Sequence, residues 1–187
     1  MFAVDPASVN TVAARARTEN FPVASLLFPR AVRPHLRAIY GFARLVDILG
    51  DEYEGDRLAA LDELEREVDA CYHGEPTWAV MRKLQPAIRA CRLPREPFLR
   101  LIEANRMDQR ISEYETWDDL KHYCVHSADP VGRLVLGVLG RAGNAGLVAL
   151  FARGGVAAVE ALERASWDIF NGRPRPSRAR LALAALK

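Results

Sequence analysis

The sequence holds no convincing run in which apolar and polar side chains alternate at period two, so sheets are excluded as its organising element and an all-α fold is expected. Cysteine is scarce. Cys71, Cys91 and Cys124 are scattered and odd in number, which argues against a disulfide framework or a zinc site and for reduced thiols in the cytoplasm. A charge excess of one sign is also missing: the formal net charge of +2 is too mild to mark nucleic acid as the partner. The opening MFAVDPASVN lacks a basic patch followed by a long apolar run, so no secretory signal is read there. The longest apolar stretch, residues 131–151, is interrupted by Arg133, Arg141 and Asn144 and is too polar to span a bilayer; peripheral membrane contact stays open. There is no phosphate-binding glycine loop, no His and Cys metal cluster, no nucleophile elbow and no repeat of fixed period, which sets aside the enzyme classes built on them. His122 and His126 stand one helical turn apart but lack the glutamate and third ligand of a zinc helix.

What the chain has is helical periodicity. With 187 residues, half of them hydrophobic, it can bury a core as a single domain, 1–187. Asp5-Pro6 caps a first helix to about Thr18, and Pro22, Pro29 and Pro34 then punctuate a connection. Helices follow over about 56–72, ending at His73-Gly74; over 78–91, kinked or divided at Pro86; and from Pro94-Pro97 to about Ile111. Asp62, Glu63, Glu65 and Glu67 read as a solvated face of the first of these. Thr116 with Asp119 makes a capping box for the next helix, and Pro130 opens a glycine-bearing one in which Gly132, Gly137 and Gly140 lie near one side. A last helical stretch covers 145–170, before the basic tail RPRPSRAR. Trp117 is expected in the core or as a staple at a cap, and Cys124 as a small buried hydrophobe.

One stretch stands apart. RPHLRAIYGFARLVDILGD, Arg33 to Asp51, is apolar almost all round between Ala38 and Gly50, yet carries Arg44, Asp47 and Asp51. Tyr40, Arg44, Asp47 and Asp51 recur at steps of four, three and four, and on a period of about 3.6 residues they form one polar line along a buried rod. Buried carboxylates need a counter-charge, so the line is expected to face a cavity, neutralised by Arg44, by a cation, or by both. Two carboxylates suit Mg2+ shared with a phosphate ligand, and Arg44 suits forked hydrogen bonds to that phosphate. In an all-α shell with an apolar interior, the fitting ligand is a lipid diphosphate. The competing reading is an intrahelical salt-bridge stripe on a helical interaction module.

Four stretches carry a resemblance. ENFPVAS at Glu19 to Ser25, RPHLRAIYGFARLVDILGDE at Arg33 to Glu52, DQRISEYETWDDLKHYCVHSADPVGRLVL at Asp108 to Leu136, and GGVAAVEALERASWDIFNGRPRPSRA together resemble the squalene/phytoene synthase family. The resemblance implies an isoprenoid-synthase helical bundle in which aspartate-rich motifs on facing helices bind Mg2+ and a prenyl diphosphate. It places Asp47 and Asp51 as metal ligands and Ser25, Tyr40, Arg44, Asp108 and Gln109 as substrate-binding residues, with Arg44 also counted as catalytic beside Tyr123, near the reacting carbons. In the subgroup it most resembles, presqualene diphosphate becomes hydroxysqualene. The family's second aspartate-rich motif has no counterpart here: VLGRAGNAGLVAL runs straight into ARGGVAAVEALERA, as if helices near 145–155 were deleted. That gap implies impaired catalysis, or a partner role, and uncovered apolar faces that favour a homodimer, a rearranged bundle or poor solubility.

Overall fold

A computed structural model describes residues 28–141, 156 and 159–168, and the described residues contain helices and no strand. The expected all-α class holds. The expected first helix, the connection before residue 28 and most of the 145–170 stretch lie outside the described residues. The chain divides into two compact units, Met1–Val138 and Leu139–Lys187.

In the first unit, α1 spans Arg33–Asp47 and begins with Pro34 in its first turn, where a missing N–H costs nothing. Leu36, Ile39, Phe42, Leu45 and Val46 form its buried stripe. Each is worth about 1.5–3 kcal/mol when fully removed from water. The stripe packs chiefly on α3 (Ala79–Cys91) and also on α4 (Glu96–Asp108), where Phe42 meets Phe98 edge-on at 5.1 Å. After Asp47 the helix widens into a π segment, Ile48–Glu52, whose exit is marked by Tyr53 N–H donating to the Ile48 carbonyl at 2.9 Å.

Helix α2, Arg57–His73, starts on Asp56, whose carboxylate accepts from Ala59 N at 2.9 Å, and stops at Gly74. Both boundaries agree with the sequence within a residue. Its acidic side is not all solvated: Glu67 is only 5% exposed and accepts from Thr77 N at 2.9 and 3.0 Å and from Trp78 N at 2.9 Å. It caps the approach to α3, which carries Pro86 without being divided. Helix α4 is held to α2 by Arg106, which reaches Asp62 at 2.6 Å and Glu65 at 2.8 Å.

Helix α5, Trp117–Ser127, opens on the expected capping box: Asp119 N donates to Thr116 Oγ1 at 3.1 Å and Thr116 N to Asp119 Oδ2 at 3.2 Å. It packs on α4 and has no buried residue of its own. Cys124 is therefore exposed, contrary to the expectation of a buried hydrophobe, and Trp117, 70% exposed directly after the Thr116 cap, is not in the core. Helix α6 spans Asp129–Arg141, and Arg133 ties it to Glu96 at 2.6 Å. Of its three glycines only Gly137 permits a close approach: a Cβ there would lie 2.9 Å from Leu93 Cδ2, whereas Gly132 and Gly140 face nothing within 4 Å. All three cysteines are free. No described helix is long and apolar enough to cross a membrane.

In the second unit, residues 159–164 are helical, with Ala161 buried. The chain leaves that helix through Ser166 and Trp167, both in left-handed backbone at φ 50° and 62°.

Candidate functional site

The π segment is the local feature on which the site turns, and long-range contacts create it. A Cβ on Gly50 would lie 2.1 Å from Asn105 Oδ1, so only glycine lets the segment sit this close to α4. Gln109, one turn beyond Asn105, donates from Nε2 to the Gly50 carbonyl at 3.0 Å and to the Asn105 carbonyl at 3.1 Å. From the other side Arg57, at the start of α2, donates to the Asp51 carbonyl at 2.8 Å and to the Tyr53 carbonyl at 3.0 Å. The end of α4 and the start of α2 thus hold the widened turn between them.

The widened turn re-aims the acids. On an unbroken α-helix, Asp51 would follow Asp47 by one turn; a π ring takes one residue more, so Glu52 occupies that position. Arg44 accordingly lies between Asp47 at 3.9 Å and Glu52 at 2.7 Å, with its own side chain only 18% exposed. Asp51 leaves that line. Its charge instead reaches Asp108 at the end of α4 and helps raise the Asp108 carboxyl above the usual range.

The expectation that Asp47 and Asp51 point into a buried cavity is corrected. Asp47 is 52% exposed at its side chain, and Asp51 is exposed as well. The physical reason is the shape of α1: its apolar residues form one stripe, continued by Leu49, rather than a full girdle, so the acids stay in water where their charge costs least. Tyr40 is half-buried on the same helix, and Ser25 lies outside the described residues.

Tyr123 from α5 is brought to this region. Its hydroxyl donates to Asp108 Oδ2 at 3.0 Å. Burial first, then the hydrogen bond to Asp108 and its charge, push the Tyr123 phenol up to about 12, so it remains a protonated donor at neutral pH. Burial is also the largest cause of the raised Asp108 carboxyl; the Tyr123 hydrogen bond opposes it and Asp51 adds to it. Tyr114, in the link between α4 and α5, lies against Tyr123 with ring centres 5.2 Å apart.

Tyr123, Asp108 and Gln109 therefore come together with the π segment that bears Asp51, while Arg44, Asp47 and Glu52 form a charged row on α1 and the π segment. Sequence reasoning missed Gly50, Glu52, Arg57, Asn105 and Tyr114. The one available signal was Gly50, a glycine inside an otherwise helical pattern. Among the described residues no three His, Cys, Asp or Glu side chains converge as a metal cage. Exposed acids in the Asp47 to Glu52 stretch still fit a hard cation that keeps several waters and shares a phosphate ligand.

Comparison with known proteins adds an independent line. A family model described as squalene/phytoene synthase matches residues 14–158. Hydroxysqualene synthases of Zymomonas mobilis and Rhodopseudomonas palustris are each 39% identical, over 129 and 127 residues, which is 64% and 66% of this chain and 41% and 42% of those proteins. A presqualene diphosphate synthase of Zymomonas mobilis is 34% identical over 137 residues, 70% of this chain and 46% of that protein. The crystal structure of squalene synthase HpnC from Alicyclobacillus acidocaldarius superimposes with a TM-score of 0.65 at 45% identity, covering 95% of this chain and 69% of that one. The chain thus spans less than half the length of these curated relatives.

Proposed function

Because the chain belongs to the squalene/phytoene synthase family, we propose that it binds a prenyl diphosphate on the surface formed by α1, the π segment and the ends of α4 and α5. The observation that carries this reading is the hydrogen bond from Tyr123 to Asp108 at the end of α4, where Gln109 ties down the π segment that bears Asp51, beside the row of Arg44, Asp47 and Glu52. In this reading Asp47 and Asp51 would hold Mg2+. The metal supplies positive charge that neutralises the diphosphate as it leaves. Arg44 gives forked hydrogen bonds to the same group, Tyr40 and Ser25 contact it, and Gln109 keeps the π segment in place. Tyr123, protonated and donating to Asp108, stands next to the reacting carbons.

The reaction proposed is the conversion of presqualene diphosphate to hydroxysqualene, supported by the likeness to the two hydroxysqualene synthases. The lipid nature of that ligand supports peripheral membrane contact. Exposed carboxylates and the unmatched second acidic motif support weak turnover by this chain alone, since one acidic row leaves much of the departing charge uncompensated. The test is Mg2+-dependent binding of farnesyl thiodiphosphate, measured by calorimetry with and without Asp47→Ala. The expected result is binding that the substitution abolishes; binding that ignores both magnesium and the substitution overturns the reading and favours a salt-bridge stripe on an interaction helix.

A further inference from the structure

Tyr114 is a residue to which neither the sequence pattern nor the reading above assigns a task. It sits in the link between α4 and α5 with its ring against Tyr123, 5.2 Å between centres. Its hydroxyl is buried and has no hydrogen-bond partner among the described residues. A buried hydroxyl without a partner weakens a fold, and phenylalanine would fill the same space without that cost. The protein gains nothing structural from the oxygen. Its surroundings are those of the site: Asp108 is close enough to raise the Tyr114 phenol, after burial itself and ahead of Cys124, yet the hydroxyl does not bond to that carboxylate. Tyr123, by contrast, has spent its proton on Asp108. Of the two phenols, tilted against each other, one is committed to the protein and the other has no partner among the described residues.

We infer that the Tyr114 hydroxyl is a hydrogen-bond donor reserved for the ligand, completing its bond to a phosphate oxygen of the metal-bound diphosphate when that group arrives. The inference rests on the diphosphate-binding reading and adds a contact to it. An anion placed near Asp51 and Asp108 needs a cation between, so the contact forms only with magnesium present. A neutral phenol suits this position: it donates to the anion without adding a charge that would have to be compensated in the unliganded protein.

The experiment is calorimetric titration of inorganic pyrophosphate with Mg2+ into the unchanged chain and into Tyr114→Phe, together with thermal unfolding of both. The substitution is expected to weaken pyrophosphate binding about tenfold, the loss of one hydrogen bond to a charged group. Its unfolding temperature should stay level or rise, because the oxygen bonds to nothing in the fold. Equal affinity in the two proteins overturns this inference and leaves the diphosphate reading standing, and a lowered unfolding temperature also overturns it, because the hydroxyl would then be serving the fold. Failure of the unchanged chain to bind magnesium pyrophosphate overturns both.

Discussion

Glu67 and Asp51 lie on either side of the start of α2, both acidic, and the fold treats them in opposite ways. Glu67 is sunk at 5% exposure and its oxygens are taken up by the N–H groups of Thr77 and Trp78. Asp51 is left in water: Arg57 donates to its backbone carbonyl, and its carboxylate acts on Asp108 through its charge. A carboxylate whose lone pairs are filled by local backbone serves the fold. One that the fold supports from behind yet leaves uncovered is available to something outside it. Substitutions should separate these two roles.

The largest effect is expected at Glu67. Replacing it by alanine strands two backbone donors and removes a buried charge-assisted cap, which should lower unfolding free energy by about 3 kcal/mol in a denaturant titration. Magnesium-dependent ligand affinity of the folded protein should not change. Next comes Gly50→Ala, whose new methyl collides with Asn105; a loss of about 2 kcal/mol is expected. Adding Asn105→Ala should restore about 1 kcal/mol of that, and a strictly additive double mutant would refute the contact between π segment and α4.

The third test uses pH. The Tyr123 phenol is held up to about 12 by burial and Asp108, so its folded value lies above its unfolded one. Stability from this group is therefore fully present below the ordinary tyrosine value of about 10 and is lost as pH rises through about 12. Asp108→Asn removes the charge, and tyrosinate absorbance should then show Tyr123, assigned with a Tyr123→Phe control, ionising earlier. The smallest change in stability belongs to Asp47→Ala, within about 0.5 kcal/mol, since its carboxylate is half in water and its partner Arg44 keeps Glu52. That same substitution should remove ligand binding, which makes it the mirror image of the Glu67 result.

What could be read from the sequence was local. The Asp56 and Gly74 boundaries, the Thr116 and Asp119 capping box and the apolar stripe of α1 all follow from residues within a few positions of one another. Where a residue depends on distant backbone, the reading failed. Glu67 reads as solvated because the N–H groups that fill it carry no side-chain signature, and Cys124 reads as buried although α5 packs on α4 without burying any side chain of its own. The polar line on α1 is legible, but not that Glu52 rather than Asp51 pairs with Arg44, because the extra residue in the ring depends on contacts with Asn105, Gln109 and Arg57 from other helices. The proximity of Tyr123 to the acids came from family likeness, since nothing in spacing alone joins α5 to the π segment.

The ring between Ile48 and Glu52 behaves like a single added tooth in a gear. Removing one residue from its first three would let an ordinary helix run on from α1 and leave the side chains downstream facing as they do now, with Glu52 four positions after Asp47 instead of five. Keeping every residue while narrowing the ring to an ordinary turn would instead bring Asp51 into Arg44's column and swing Glu52 away, trading one set of neighbours for another with no charge gained or lost. At this place in the chain, length encodes direction.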